Sequence, residues 1–318
     1  MRYVVRADAS QSIGTGHVMR SSAIAEELIG RGETVVFVGR ISDLPWVEER
    51  IAEIGFSHIC SNPGEFISNP ESDVLLLDSY DVAIDDEFIK LEKWFHIVTI
   101  VDELTPNYSC ALRIHPGLDS DWVGESSISI LSGPNYIPIR SSLSKNISAS
   151  SRTLKTLKIV VVAGGSDPQN LVLEISKVLA TFSESFDVYF FTNTSSVFAR
   201  DSRFHFCKIG LLLDEVSRDA DLILTTSSTS SLEFIARGFC VGVACAVENQ
   251  KQYYDILAQL GLAAQIGCHS LSSGWKIEKD TIHKLITEAS FRADLVNKGF
   301  GLIDFNGASR IVDAIMSL

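Results

Sequence analysis

Ile13-Gly14-Thr15-Gly16-His17-Val18-Met19-Arg20 decides the fold. It follows the apolar run Tyr3-Val4-Val5, which leads through Arg6-Ala7-Asp8 into the glycine loop, and it opens a helical stretch that reaches about Gly30. Buried strand, glycine turn and helix in that order are the first βα unit of a doubly wound sheet. The glycines let the backbone turn tightly and approach a ligand closely. The helix start adds unpaired N–H groups and a partial positive charge, so the loop suits an anion and disfavours an imidazolium. His17 is therefore expected as a neutral ring able to accept a proton near pH 7. The same letters also fit a plain strand-to-helix turn with His17 as a polar cap. A dinucleotide fingerprint is not met: Met19 stands where its last glycine belongs, and Val36-Phe37-Val38-Gly39-Arg40 carries no acid after the second strand.

The alternation continues outward from this loop. Thr34–Val38, Val74–Leu77 and Ile97–Val101 read as apolar strands, with helices near Trp46–Ile54 and Asp85–Phe95 and a helix stop at Arg31-Gly32. Strands apolar throughout belong to parallel sheets covered on both faces. Between about Arg140 and Lys155 the chain becomes serine-rich and loses its apolar period, as a linker does. The alternation then restarts: Leu157–Val162, a helix after Pro168, Val188–Phe191, Leu222–Leu224, a helix from about Ser230 to Ala236, Val241–Ala244, and a helix from Gln250 to Leu260. The expected fold is α/β and GT-B-like: a Rossmann-like domain over 1–142, a linker over 143–155 and a second Rossmann-like domain over 156–318. The last helix is expected to pack back on the first domain, with the ligand in an interdomain cleft.

Bulk properties narrow the partners. The 318 residues exceed the usual single domain, and 27 Lys and Arg against 40 Asp and Glu leave a net charge of −13. That balance argues against nucleic acid or an anionic membrane as the main partner, so a phosphate ligand must be held by local dipoles and hydroxyls. Cys60, Cys110, Cys207, Cys240, Cys245 and Cys268 are scattered, without metal-ligand spacing, and read mostly as small buried hydrophobes. No signal-peptide pattern or membrane-length apolar run is seen. A cytoplasmic protein without a cofactor or a metal, monomeric or weakly homo-oligomeric, is expected.

Two stretches in the second half carry chemistry. Val160-Val161-Val162-Ala163-Gly164-Gly165-Ser166-Asp167-Pro168 repeats strand, glycines and helix start, as a phosphate-binding turn or as a plain loop capped by Ser166 or Asp167. Thr225-Thr226-Ser227-Ser228-Thr229-Ser230-Ser231-Leu232-Glu233 sets hydroxyls and backbone donors at a strand-to-helix junction suited to a diphosphate. Glu233 reads either as a ligand for ribose hydroxyls or as a helix-dipole carboxylate. Glu248-Asn249-Gln250 opens a further helix at the same edge of the sheet, with Asn249 also readable as a cap. In the first half, Asp78 closes an apolar strand at its carboxyl end, where catalytic side chains of such sheets gather. Asp102 and Glu103 hold the equivalent place on the next strand, and His115 is a secondary candidate.

Arg6-Ala7-Asp8-Ala9-Ser10, Ile13 to Arg20, Asp78-Ser79-Tyr80, Gly133-Pro134-Asn135-Tyr136, Gly164-Gly165-Ser166-Asp167-Pro168, Glu248-Asn249-Gln250 and Asp304 to Arg310 together span nearly the whole chain. This set resembles the UDP-2,4-diacetamido-2,4,6-trideoxy-β-L-altropyranose hydrolases of pseudaminic acid biosynthesis. The resemblance implies a GT-B-like fold related to the MurG glycosyltransferase, UDP bound by the C-terminal domain, and metal-independent attack of water at the anomeric carbon. It makes His17 the group that orients or deprotonates water, with Asp78 or Tyr80 contacting the sugar or supporting His17. Asp8, Gly14, Gly16 and Arg20 become substrate contacts. Gly165, Ser166, Ser228 and Thr229 go to the diphosphate, Glu233 to the ribose, and Glu248, Asn249 and Gln250 to the nucleoside side. The chain departs from that pattern at Thr226-Ser227-Ser228, where relatives are glycine-rich, at Gly238-Phe239-Cys240, which lacks a proline, and after Asp304, where a glycine is missing. These departures bear on substrate identity and activity.

Three functions follow. A hydrolase needs a positioned water, one base and donors for the leaving diphosphate. A glycosyltransferase needs an acceptor and often an apolar docking face, for which Leu44-Pro45-Trp46-Val47 is too small. A non-catalytic domain binds the nucleotide-sugar and turns nothing over.

Overall fold

The computed structural model describes residues 1–79, 94–102, 109–119, 129–143, 156–193 and 201–318. Tyr80, Glu103, nearly all of the helix expected near Asp85–Phe95, and the linker beyond Leu143 lie outside the described residues. The chain divides into two compact units, Met1–Ser142 with Asp304–Leu318, and Leu143–Ile303.

The first unit contains β1 (Arg2–Ala7), α1 (Gly16–Gly30), β2 (Thr34–Val38), α2 (Pro45–Ile54), β3 (His58–Cys60), β4 (Asp73–Asp78), β5 (His96–Ile100), β6 (Leu112–His115) and β7 (Ser129–Ser132). The seven strands run parallel in the order β3-β2-β1-β4-β5-β6-β7. Both faces are buried, which is why β1 and β4 lack the alternation of a half-exposed strand. Tyr3, Val5 and Ala7 pack with Val18, Ile24 and Leu28 of α1 and with Ile311, Val312 and Ile315 of the C-terminal helix. Val4, Val36, Val38, Leu75 and Leu77 face the other way, against Trp94 and Ile97.

The C-terminal helix, Gly307–Met316, enters against the tight turn Pro134–Tyr136. A β-carbon at Gly307 would lie 2.1 Å from the carbonyl oxygen of Ile137, so this approach admits only glycine. Arg310 secures it with bonds of 2.8 and 2.6 Å to Asp304 and of 3.0 Å to the Asn135 carbonyl. At the far end Arg31 of the loop after α1 binds Asp313 at 2.6 Å and the Ser309 carbonyl at 3.1 Å.

The second unit contains β8 (Leu157–Val162), α3 (Leu171–Leu179), β9 (Phe186–Phe191), β10 (Phe204–Cys207), α4 (Leu212–Ser217), β11 (Leu222–Thr226), α5 (Thr229–Ala236), β12 (Val241–Cys245), α6 (Lys251–Gln259), β13 (Ala264–Ser270), β14 (Gly274–Ile277), α7 (Lys279–Thr287) and α8 (Ala289–Gly299); the C-terminal helix is α9. Its order is β10-β9-β8-β11-β12-β13-β14, parallel except for the final hairpin.

Both sheets reverse direction beside their first strand. In the first unit β1 lies between β2 and β4; in the second β8 lies between β9 and β11. Such switch points open a crevice at the carboxyl ends of the strands, where open α/β sheets bind ligands. The loops after β1 and β4, and after β8 and β11, fall at those places.

Candidate functional site

In the first unit the loop after β1 is a tight turn. Gly14 donates its N–H to the Ser10 carbonyl at 2.8 Å and takes φ +83°, a conformation that favours glycine, while Ser10 Oγ accepts the Ile13 N–H at 3.0 Å. The turn delivers the chain to α1 at Gly16, with no side chain capping the start and no acid in its first turn. His17, Arg20 and Ser21 then share one helix face, since residues three and four apart are neighbours.

That face meets Asp78 at the end of β4, which is paired in register with Ala7 of β1. Asp78 is fully buried and its two oxygens accept four contacts. Oδ1 receives His17 Nδ1 at 2.5 Å and Arg20 Nη2 at 2.6 Å; Oδ2 receives Arg20 Nε at 2.7 Å and Ser21 Oγ at 2.9 Å. Burial by itself pushes this carboxyl up, but the charge of Arg20 and the hydrogen bonds from Arg20 and His17 hold it well below the ordinary carboxylate range. An ionised carboxylate only accepts. Nδ1 of His17 therefore carries the proton that it donates to Asp78. The buried acid fixes the orientation of the His17 ring through Nδ1.

Asp102, after β5, approaches Arg20 Nη2 at 3.7 Å. Arg20, read from the resemblance as a substrate contact, engages Asp78 with two nitrogens. Asp8 likewise has structural partners: Oδ1 accepts Arg6 Nη1 at 2.6 Å and the Arg40 N–H at 2.7 Å, tying the end of β1 to the loop after β2. Ser21 escaped the sequence reading, although its four-residue spacing from His17 was a usable signal.

In the second unit the turn Gly164–Ser166 follows β8 and the hydroxyl-rich segment follows β11. A β-carbon at Gly164 would be 3.8 Å from Thr226 Oγ1, so the two loops are neighbours. Of the two caps considered for α3, Asp167 does the work: its carboxylate accepts the N–H groups of Leu171 at 2.8 Å and Val172 at 3.0 Å. Those amides are consumed internally, which leaves the phosphate-binding expectation for this turn resting on Gly165 and Ser166. Burial raises the Asp167 carboxyl, partly offset by these two bonds.

The hydroxyl segment divides in two. Ser227 Oγ donates to the carbonyls of Ala244 at 3.3 Å and Gln250 at 3.1 Å, and Ser231 Oγ donates to the Ser228 carbonyl at 2.7 Å. Thr226 and Ser228 hydroxyls lie 3.2 Å apart and half-buried Thr229 opens α5. Glu233, one turn further, is buried. Glu248 and Asn249 stand exposed on the tight turn before α6, where Asn249 caps no helix; Gln250 Oε1 accepts the Ala246 N–H at 2.9 Å and braces that turn.

The cysteines correct the sequence reading in part: only Cys240 and Cys245 are buried and the other four are half-buried, two of them, Cys60 and Cys207, in the edge strands β3 and β10. Burial, followed by the neighbouring Cys268, pushes the Cys245 thiol up to about 12, which makes it a poor nucleophile at neutral pH. Among the described residues no three His, Cys, Asp or Glu side chains gather as metal ligands would, and no helix is long and apolar enough to cross a membrane.

Solved structures match over the full length. MurG from Acinetobacter baumannii superposes with a TM-score of 0.64 at 13% identity, covering 100% of both chains. The fold is GT-B. The spinosyn forosaminyltransferase SpnP (TM-score 0.64, 10% identity, 100% of both chains) and a UDP-N-acetylglucosamine 2-epimerase (0.63, 10%, covering 99% of this chain and 95% of that one) share it. In sequence the chain is 25% identical over 284 residues to an uncharacterised protein of Methanocaldococcus jannaschii, covering 80% of this chain. It is 24% identical over 187 residues to the UDP-2,4-diacetamido-2,4,6-trideoxy-β-L-altropyranose hydrolase of Campylobacter jejuni, covering 56% of this chain. These matches span 58% and 66% of the relatives' own lengths. No family model matches the chain.

Proposed function

We propose that this chain hydrolyses a UDP-sugar, releasing UDP from UDP-2,4-diacetamido-2,4,6-trideoxy-β-L-altropyranose or a close relative. The observation that carries the proposal is the buried Asp78–His17 couple at the β1/β4 switch point, and the proposed base is Nε2 of that ring. In the proposed reaction Nε2 takes a proton from water and the water oxygen bonds to the anomeric carbon. The bond from that carbon to the β-phosphate oxygen breaks, and UDP leaves with the electron pair. A glycosyl diphosphate already has a good leaving group, so donors for its developing charge complete the requirement.

In the second unit, taken by itself, the proposal assigns the diphosphate of UDP to Gly165, Ser166, Thr226, Ser228 and the amide at Thr229, which starts α5 with no acid in its first turn. Glu233 is assigned to the ribose hydroxyls and the Glu248–Gln250 turn to the base. The hydrolytic reading draws on the Campylobacter relative; transfer to an acceptor hydroxyl would use the same base, and the forosaminyltransferase likeness favours it as the second reading. The test is UDP release from the diacetamido sugar nucleotide with EDTA and no acceptor. Release by the wild type, reduced about 10²- to 10⁴-fold by His17→Ala with UDP affinity kept, supports the proposal. UDP binding without release, or release only after an acceptor is added, overturns hydrolysis.

A further inference from the structure

We infer that Arg20 is a positioning residue: it neutralises Asp78 so that His17 need not serve as the counter-ion of a buried carboxylate and stays free to act as a base. The inference rests on the role proposed for His17 and concerns how that role is maintained.

The geometry argues it in three steps. First, Asp78 has no exposure, and its four acceptor sites are filled by His17 Nδ1, Arg20 Nη2, Arg20 Nε and Ser21 Oγ, at 2.5 to 2.9 Å. Nothing is left for a proton, so the carboxylate is charged. Second, an uncompensated buried carboxylate is costly and draws a proton onto whatever base touches it. Without Arg20 that base is His17, and an imidazolium has no lone pair with which to take a proton from water. Third, the guanidinium is permanently charged and meets the carboxylate side-on, two nitrogens on two oxygens, the strongest arrangement available to such a pair.

Among the described residues, charged groups near His17 and Arg20 come from three places. They are Asp78 from β4, Asp102 following β5 at 3.7 Å from Arg20 Nη2, and Arg20 itself from α1, whose Nη2 lies 3.1 Å from His17 Nδ1. Because Nδ1 donates to Asp78, the Arg20–His17 approach is a contact between two donors sharing one acceptor. Removal of Arg20 leaves His17 Nδ1 in contact with Asp78 at 2.5 Å.

The experiment is ¹⁵N NMR of histidine-labelled protein at pH 7, with His17→Ala supplying the assignment, on wild type, Arg20→Lys and Arg20→Gln. The wild type is expected to show a neutral His17 ring with the proton on Nδ1. Arg20→Lys, which keeps the charge but not the fork, is expected to preserve that signature. Arg20→Gln is expected to show the imidazolium. In UDP-release assays the acidic limb of the Arg20→Gln profile moves up by about one pH unit or more, while that of Arg20→Lys stays in place.

A neutral His17 in Arg20→Gln, or a wild-type ring protonated on Nε2, overturns the inference; the second outcome needs no Arg20 variant and holds even if Arg20→Gln does not fold. The NMR readout requires no substrate. Failure to release UDP therefore sinks the hydrolase proposal without touching the tautomer result, and the converse also holds.

Discussion

At the residue scale Asp78 holds the site together, accepting from His17, Arg20 and Ser21. Asp78→Asn is close to isosteric, but its amide NH₂ can donate to Nδ1, which moves the ring proton to Nε2 and removes the base. We expect UDP release to fall about 10³- to 10⁴-fold with little change in KM, measured by steady-state kinetics. The same change removes the acid that Arg20 grips with two nitrogens and leaves Asp102, at 3.7 Å, among its acidic neighbours, so urea unfolding at pH 7 should show a loss of about 3 kcal/mol. The sign with pH is set by the depressed carboxyl. A group held below its unfolded value contributes stability that is complete above the ordinary carboxylate pKa of about 4 and fades as pH falls beneath it. The difference between wild type and Asp78→Asn should therefore narrow in acid; a gap that widens would contradict the ion-pair account. His17 and Asp78 were each legible as candidates, one from its glycine loop and one from its strand end. Their bond, across 61 positions, was not, because sequence order does not reveal which strand becomes the neighbour of β1.

At the element scale Asp167 reverses the sign of Asp78. Burial raises its carboxyl, so the negative form is the strained one although it caps α3. Asp167→Ala removes the acceptor and should cost about 0.5–2 kcal/mol. Asp167→Asn keeps one acceptor oxygen but turns an NH₂ toward the other N–H, so at pH 7 it should lie between alanine and the wild type. A raised carboxyl contributes stability at low pH that is lost as pH rises through its folded value, so the deficit of both variants should be larger near pH 4 than at pH 7. Urea midpoints at the two pH values check both. The long apolar strands and the helices after glycine turns were readable because burial on both faces leaves a continuous run. Short strands such as His58–Cys60 and Leu112–His115 were not, since three or four residues mixing polar and apolar side chains carry no period of their own. The partition of Ser227 and Ser231 toward backbone carbonyls was equally hidden, because hydroxyls that brace a loop and hydroxyls that await a ligand have the same letters.

At the scale of the whole molecule the chain returns to its first unit after completing the second. Ile311, Val312 and Ile315 of α9 are buried in the first core, and Gly307 admits no side chain beside Ile137. Gly307→Val should destabilise the first unit by about 1–3 kcal/mol or more, because the obstruction is backbone and cannot swing aside. Hydrogen exchange is expected to accelerate in β1, β4 and α1 and to stay unchanged in β8 and β11; equal acceleration in both units would contradict the division of the chain. The sequence by itself determined the doubly wound α/β class, the glycine-histidine loop and the hydroxyl-rich helix start, because these follow from local periodicity and backbone chemistry. Tertiary structure alone decided that Arg20 and His17 converge on one buried carboxylate and that Asp167, Asp8 and Gln250 are spent on holding loops. Strand order and burial set those partnerships, and both are properties of the folded chain that no local stretch encodes.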